Sequence, residues 1–336
     1  MFTRRSLDID PARVADEIAR SIETQVFGAL RRRGAVVGLS GDVDSSVVAA
    51  LCVRALGKGR VLCLLMPERD SSAESLRMGR QAAAHLGCEA LVEDLSPALE
   101  VAGCYRRQAE AIRSVFPEYG EGYRCKLSLP SLLDGERLNV SVLTVQAPSG
   151  ETRSARMPPA AYLKLVAATN YKQRVRKVTE YYHADRLHFA VAGTANRLEY
   201  DLGFFVKQGD GAADFKPIAH LYKTQVYALA EHLGVPAEIR SRPPTTDTYS
   251  LPQTQEEFYF ALPHDKMDLC LYAKDQGVPA ERAAAVMGLT PEQVGRVYRD
   301  IDAKRRAASY LHAAPLLVRK VGVGAADGKE GRAHAS

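Results

Sequence analysis

Residues 35–46 read AVVGLSGDVDSS, a short apolar run followed by serines, a glycine and two aspartates. A continuously apolar run is typical of a strand buried on both faces of a parallel sheet. The residues from about Ser45 to Leu56 predict a helix directly after it. A strand, a Ser-Gly turn and a helix N-terminus gather backbone N–H groups, hydroxyl groups and the positive end of the helix dipole around one point. We therefore predict a phosphate loop, although its spacing is neither that of a Walker loop nor G-x-G-x-x-G.

The alternation of strands and helices continues beyond this loop. VLCLLM (61–66) and EALVEDL (89–95) predict two further strands, with a helix over SSAESLRMGRQAAAHLG (71–87) between them. A helix over 161–183 is expected before a strand in RLHFAVAGT (186–194). This order predicts an α/β fold with a doubly wound parallel sheet, whose ligand crevice lies at the carboxyl ends of the strands.

The segments outside this alternation suggest how the chain is divided. An amphipathic helix is expected in an N-terminal segment, 1–34, ahead of the α/β unit, 35–315. LNVSVLTVQ and ETRSARM flank Ala-Pro-Ser-Gly, which predicts a β-hairpin inserted at about 126–158. The last residues, 316–336, are rich in Gly, Ala and charge and are expected to form a flexible tail.

Composition restricts the class of protein. The chain has 336 residues, of which 46% are hydrophobic and 25% charged, as in ordinary globular proteins. Its net charge of +5 comes from scattered Lys and Arg, so we expect no nucleic-acid partner. Neither an apolar run of 18 residues nor a signal peptide is visible, so no membrane association is expected. Six cysteines without C-x-x-C spacing suit a reducing cytoplasm, which is the expected location.

The phosphate loop resembles the S-G-G-x-D-S loop of ATP pyrophosphatases, which cleave ATP between its α and β phosphates. By itself, this short match leaves the alternative of a strand-to-helix turn capped by Asp44 or Ser45. The C-terminal half adds AVAGTANRLEYDLGFFVKQGDGAADFKPIAHLYKTQV and RPPTTDTYSLPQTQEEF, with ATNYKQRVRK just upstream. Together, over about 35–100 and 165–270, these segments resemble the synthetase domain of the NAD synthetase family.

The resemblance implies an adenine nucleotide alpha hydrolase-like fold and an ATP-dependent amide ligase. In that family ATP adenylates the nicotinate carboxylate of deamido-NAD, and ammonia then displaces AMP to give NAD. Glutamine-dependent members carry an N-terminal amidase domain, whereas about 34 residues precede the first strand here. The expected nitrogen donor is therefore free ammonia or ammonia from a separate amidotransferase. The family also implies a homodimer.

The resemblance assigns roles to particular residues. It implies that Asp44 and Glu199 hold Mg²⁺ against the phosphates of ATP, because this hard cation prefers oxygen ligands. From the residues alone, helix capping and a solvated helix face are the alternatives for these two carboxylates. Asp44, Lys207 and Thr245 are the expected catalytic residues, the last two as phosphate contacts. The expected nucleotide-binding residues are Ser40, Gly41, Ser45, Ser46, Thr194, Asn170, Arg174, Asp210, Asp214 and Asp247.

Several of these positions keep a structural alternative. The three aspartates Asp210, Asp214 and Asp247 are equally typical of turn residues. Asn170 and Arg174 are four residues apart, which puts them on one helix face where they would bind the dinucleotide.

For this helix, the alternative is a basic, solvent-facing surface that also includes Lys172 and Lys177. Lys223 is expected near the carboxyl ends of the strands, and a purely structural role is an equal alternative for it.

The sequence also departs from the family pattern. Asp42 stands where the loop's second glycine is expected, a position at which glycine would allow a positive φ. Arg242 precedes the prolines where Lys is common, and Gln255 stands where an acidic residue is common.

The negative charge of Asp42 raises the question whether the protein is catalytically active. A carboxylate 4 Å from a phosphate is repelled by about 4 kcal/mol at an effective dielectric constant near 20. Two alternatives therefore accompany the main hypothesis: a ligase for a different carboxylate, and a catalytically impaired nucleotide-binding homologue. On this argument Asp42→Gly is expected to raise turnover or lower the ATP requirement.

Overall fold

The strands form two separate sheets in the structure, a computed structural model that describes residues 2–129, 141–246 and 248–319. The parallel sheet has the order β3-β2-β1-β7 and consists of β1 (Ala35–Gly38), β2 (Val61–Leu65), β3 (Glu89–Val92) and β7 (Ala190–Ala192). The antiparallel sheet has the order β4-β5-β6 and consists of β4 (Arg124–Ser128), β5 (Val142–Gln146) and β6 (Thr152–Arg156).

Helices surround the parallel sheet and continue beyond it. In chain order they are α1 (Pro11–Glu23), α2 (Val43–Leu56), α3 (Ala73–Leu86), α4 (Ser96–Val101), α5 (Cys104–Arg113), α6 (Pro159–Leu187), α7 (Arg197–Leu202), α8 (Lys223–His232), α9 (Ala237–Ser241), α10 (His264–Asp275), α11 (Ala280–Met287) and α12 (Pro291–His312).

Both faces of the parallel sheet are buried, which explains its continuously apolar strands. Val37 and Cys63 join the core that includes α1, α2 and α8. Val36 and Leu62 point the other way and pack with residues of α6. Since β1 pairs in parallel with both β2 and β7, the predicted doubly wound α/β class is confirmed.

The element boundaries differ from the sequence-based ones mainly around α6. The helix covers Pro159–Leu187 instead of 161–183, because it ends only where His188 adopts a left-handed conformation with φ 58°. The following strand is accordingly short and keeps only Ala190–Ala192 of the predicted 186–194. The strand predicted over 89–95 ends at Val92.

The segment predicted as an inserted hairpin contains β5 and β6, which pair from Val142↔Arg156 to Gln146↔Thr152. The sequence analysis missed a third strand, β4, which pairs with β5. Main-chain hydrogen bonds from Leu251 to Cys125 and from Leu129 to Glu257 join this sheet to the segment after the Pro-Pro pair. The antiparallel sheet is therefore attached to the segment 245–258 by main-chain hydrogen bonds. The extent of the insertion and the domain limits remain predictions.

The C-terminal helices form a second apolar cluster. Residues of α10, α11 and α12 pack together with α7 and with Phe2 and Leu7 of the N-terminal segment. Of the predicted tail, 320–336 lies outside the described residues. No helix in the described part of the chain is long and apolar enough to cross a membrane.

The turn of the predicted phosphate loop requires glycine at one position. Gly41 has φ +84°, and a Cβ atom there would lie 2.4 Å from the backbone oxygen of Ser75. Asp42 has φ −96° in ordinary extended backbone, so no glycine conformation is needed at the position where the family pattern has one. The conformational concern about Asp42 was therefore wrong.

We predict that Gly41→Ala destabilises the protein more than Gly288→Ala. Both positions have positive φ, but a Cβ at Gly288 meets nothing within 4 Å. The left-handed conformation costs about 1–2 kcal/mol at either site. The backbone clash at Gly41 should add about 1–3 kcal/mol. The free energy of unfolding, measured by urea denaturation, checks this prediction, and equal losses for the two variants would contradict it.

Candidate active site

A cavity of about 480 Å³ opens at the carboxyl ends of the parallel strands. Gly38, Leu65 and Thr194 mark the ends of β1, β2 and β7 on its wall. Residues of α6, of the segment 245–258 and of the end of α12 complete the lining. The position and the volume are those expected for a small-molecule site in an open α/β sheet.

The predicted phosphate loop forms one wall of this cavity. Its backbone is fixed by its own hydroxyl groups: those of Ser45 and Ser46 donate to the carbonyl oxygen of Asp42 at 3.1 and 2.8 Å. The hydroxyl oxygens of Ser40 and Ser45 lie 3.0 Å apart, and both residues line the cavity. Ser46 is buried behind the loop, so its contribution is to the loop's shape.

Two carboxylates face the cavity next to this loop. Asp44 lies in the first turn of α2, and Glu199 lies in the first turn of α7. The side-chain amide of Asn196 donates to Asp44 Oδ1 at 3.0 Å, while Asn196 also forms a capping box with Glu199. The ammonium group of Lys223 binds Asp44 Oδ2, and Gln255 donates to Glu199 Oε1 at 3.1 Å.

These charges strongly affect one another because they are buried. Burial and the negative charge of Asp44 raise the pKa of Glu199 to about 8. Burial by itself lowers the pKa of Lys223, but the carboxylates of Asp44 and Glu199 outweigh it, so that this pKa lies above its ordinary value. The one buried ammonium thus contacts Asp44, and at neutral pH Glu199 keeps a proton instead of a negative charge, which a divalent cation would replace.

The donor set fits Mg²⁺ bound to a nucleotide. Within the described residues, no group of three or more His, Cys, Asp or Glu side chains could hold a metal ion. A nucleotide-bound Mg²⁺ needs only one or two protein carboxylates, since phosphates and water supply its other oxygen ligands. Asp44 and Glu199 both line the cavity, and burial together with their mutual repulsion raises the pKa of Glu199.

The structure brings most of the predicted site residues to this cavity. Those that line it are Ser40, Asp44, Ser45, Asn170, Thr194, Glu199, Asp210 and Thr245. Those that do not are Gly41, Ser46, Arg174, Lys207 and Asp214. Asp247 lies outside the described residues.

Two of the predicted aspartates also have structural contacts. The Asp214 carboxylate accepts hydrogen bonds from the backbone N–H of Val191 at 2.7 Å and the hydroxyl of Tyr181 at 3.2 Å. It therefore stabilises β7, which is the edge strand of the parallel sheet. Asp210 accepts from the backbone N–H of Val206 at 2.7 Å, so it stabilises a turn although it also lines the cavity.

Lys207 points away from the phosphate loop. Its ammonium group donates to the carbonyl oxygens of Tyr310 and Ala313 at 2.8 and 2.9 Å, at the end of α12. Its own carbonyl oxygen accepts from Arg174 at 3.2 Å. A phosphate contact would require Lys207 to leave the two carbonyl groups, so its catalytic role remains a prediction.

Two lysines of α6 are buried, whereas Arg174 on the same helix is exposed. Lys172 is fully buried, and its ammonium group donates to Glu68, Asp70 and the carbonyl oxygen of Thr248 at 3.1, 2.6 and 3.1 Å. Lys177 is buried as well and pairs with Glu180 at 2.5 Å. The solvent-facing alternative was wrong for both lysines. Lys172 joins the loop after β2 to the segment 245–258.

Asn196 is a residue of the site that the sequence analysis did not predict. A signal for it was present, because Asn followed three residues later by Glu is the pattern of a helix capping box. The contact between Asn196 and Asp44 had no such signal, since the two residues are 152 positions apart.

Aromatic side chains also line the cavity. Phe204 and Tyr259 stack with their ring centroids 4.8 Å apart, and both line the cavity together with Phe205, Phe258 and Tyr162. A cavity lined by both aromatic rings and charged groups suits a substrate with a planar ring and phosphates.

A parallel sheet with a phosphate loop and paired carboxylates at its carboxyl end defines an α/β nucleotide-binding protein with the adenine nucleotide alpha hydrolase-like fold. The sequence model described as NAD synthase matches residues 14–115 and 137–307. The chain belongs to this family. It is 63% identical over 316 residues to the NH(3)-dependent NAD(+) synthetase of Mesorhizobium japonicum, covering 94% of this chain and 99% of that protein.

Solved structures show the same fold at much lower sequence identity. The NMN synthetase from Francisella tularensis aligns with a TM-score of 0.59 at 20% identity, covering 92% of this chain and 99% of that one. The NH3-dependent NAD synthetase from Campylobacter jejuni aligns with a TM-score of 0.58 at 21% identity, covering 93% and 100%.

Proposed function

We propose that the protein is an ammonia-dependent NAD⁺ synthase. It adenylates the nicotinate carboxylate of deamido-NAD with ATP and then amidates it with ammonia, giving NAD⁺, AMP and pyrophosphate. The observation that carries the proposal is one cavity lined by the phosphate loop, including its Asp44, and by Glu199. It is supported by the 63% identity over 94% of the chain to an NH(3)-dependent NAD(+) synthetase.

The residues of the loop end of the cavity would bind and orient the nucleotide. Ser40, Ser45 and the N-terminus of α2 present hydroxyl groups and a positive dipole to the pyrophosphate. Asp44 and Glu199 would hold Mg²⁺, which when bound neutralises phosphate charge. Lys223 and Asn196 fix the two oxygens of Asp44, so this carboxylate is oriented before the substrate arrives.

The aromatic part of the cavity wall would accept the pyridine ring. The stacked rings of Phe204 and Tyr259 offer an apolar surface to it, and Asn170 also lines the cavity. Close positioning of the two substrates is the main contribution such a site makes, because acyl adenylation and aminolysis depend on orientation and on neutralised charge. Neither a different carboxylate acceptor nor an impaired homologue is favoured by any feature of the described residues.

The reaction is tested with the purified protein and the four components ATP, Mg²⁺, ammonia and deamido-NAD. We predict equal amounts of AMP and NAD⁺, loss of both when any component is omitted, and a higher kcat/KM for deamido-NAD than for nicotinate mononucleotide. Asp44→Asn should lower kcat/KM at least about 100-fold, as for other groups aimed at the reacting charge. Asp16→Asn, in an exposed ion pair on α1, is the control. AMP release without NAD⁺ would contradict the proposal.

Magnesium binding should depend on pH through Glu199. The pKa of its carboxyl group is raised to about 8, so below pH 8 a metal ion must displace a proton. Rising pH removes this competition, and the apparent affinity for Mg²⁺ with a non-hydrolysable ATP analogue should increase up to about tenfold per pH unit from pH 7 to 8, then level off. Calorimetric titration measures it. The same slope in Glu199→Gln would contradict the assignment.

A homodimer is supported by an exposed apolar stripe on α6. Leu163, Tyr171, Val178 and Tyr182 are 66, 37, 69 and 63% exposed, and their spacing places them on one face of the helix. Exposed apolar patches of this kind mark interaction surfaces. We propose that a second copy covers this stripe.

We predict that Leu163→Glu with Val178→Glu converts the dimer to a monomer in sedimentation experiments, because two buried carboxylates would oppose association. Val101→Glu is the matched control, since Val101 is 91% exposed outside the stripe. A wild-type monomer at micromolar concentration, or a dimer that survives both substitutions, would rule out this interface.

A cytoplasmic location is also proposed. The described cysteines are all free, including Cys63 and Cys88, whose sulfur atoms lie 3.2 Å apart. Free thiols at this separation suit a reducing compartment.

A further inference from the structure

Two residues that depart from the family pattern meet in the structure. Asp42 occupies the glycine position of the phosphate loop, and Arg242 occupies the lysine position before the prolines. Asp42 Oδ1 and Arg242 Nη1 lie 3.6 Å apart, and their side chains are only 15% and 13% exposed. The two departures therefore form one mostly buried ion pair beside the nucleotide-binding cavity.

The guanidinium group of Arg242 contacts two further segments. Nη2 donates to the hydroxyl of Ser75 at 3.0 Å, in the first turn of α3, and to that of Thr245 at 3.4 Å. Nη1 is buried and makes no hydrogen bond within the described part of the chain. Asp42, Ser75 and Thr245 all line the cavity. Arg242 therefore contacts three parts of the cavity wall without lining the cavity itself.

We infer that Asp42 and Arg242 are interdependent positioning residues, which together hold Thr245 and the phosphate loop in the arrangement that binds ATP. The inference rests on the proposed function in that ATP is the ligand. Asp42 supplies the carboxylate that anchors the guanidinium, and Arg242 neutralises a charge that would otherwise repel the phosphates.

The side-chain chemistry explains why the arginine is needed beside this aspartate. A guanidinium is a planar fork with five donors, so it can contact a carboxylate and two hydroxyl groups at once. A lysine ammonium is a compact charge on a flexible stem and would not hold the same three groups in place. Each departure alone would weaken the nucleotide site, whereas both together restore it.

The test is a double-mutant cycle on the dissociation constant of a Mg²⁺-bound, non-hydrolysable ATP analogue, measured by calorimetry without an acceptor. Asp42→Gly should weaken binding about tenfold, because Arg242 loses its anchor and Thr245 its position. Arg242→Lys should also weaken binding about tenfold, because the charge of Asp42 is then poorly neutralised. The double variant should bind within about threefold of wild type, since its lysine faces the phosphates with no competing carboxylate.

Controls separate this role from a general structural one. Arg240→Lys is the matched control, since Arg240 lies on α9, two residues before Arg242, in a more exposed pair with Glu231. In steady-state assays the KM for ATP should change while the KM values for deamido-NAD and ammonia stay constant. If Asp42→Gly does not fold, Asp42→Asn keeps the size of the side chain and takes its place in the cycle.

Three results would overturn the inference: tighter or unchanged binding in Asp42→Gly, an unchanged affinity in Arg242→Lys, or additive losses in the double variant. The proposed function fails separately, if the wild type binds the analogue but makes no NAD⁺. The inference also reverses the expectation drawn from the sequence alone, that Asp42→Gly improves the enzyme.

Discussion

The site depends on one buried ammonium group that binds the carboxylate of Asp44 and is attracted by a second carboxylate, Glu199. Lys223 is almost fully buried, and it binds Asp44 while also attracting Glu199. Removing such charges from water costs several kcal/mol for each ion, and the cost is offset only where partners are held in good geometry. Asn196 and Gln255 supply that geometry through hydrogen bonds to the two carboxylates. The first turns of α2, α7 and α8 are therefore fixed relative to one another by charge as much as by apolar packing.

The same arrangement explains why the cavity suits a metal-bound nucleotide. One ammonium cannot neutralise two carboxylates, so burial and the negative charge of Asp44 raise the pKa of Glu199, which keeps its proton at neutral pH. A divalent cation removes this imbalance, and the phosphates of ATP in turn balance the cation. The helix dipole of α2 and the hydroxyl groups of Ser40 and Ser45 would stabilise the same phosphates directly.

The sequence predicts those parts of the site that are formed by residues close together in the chain. The apolar run of β1 and the Ser-Gly turn lie within a dozen residues, so the parallel sheet and the position of the loop follow from pattern alone. The partner of Asp44 does not, because Lys223 is 179 positions away and no periodicity connects them. Burial of Lys172 was equally hidden, since a lysine in a basic segment normally faces water. β4 was overlooked although RCKLS alternates as a half-buried strand does, with Cys125 and Leu127 buried, because the run is only five residues long.

Asp42 shows how a long-range contact changes the meaning of a residue. Considered alone, its carboxylate repels a phosphate 4 Å away by about 4 kcal/mol at an effective dielectric constant near 20. Its attraction to a guanidinium at 3.6 Å is of the same size at that dielectric constant, about 4–5 kcal/mol before screening. A phosphate therefore meets a short dipole instead of a single negative charge, and the repulsion falls off steeply with distance. The presence of Asp42 therefore does not argue against catalysis. Its negative charge, which by itself would repel ATP, is the charge that holds Arg242 in place.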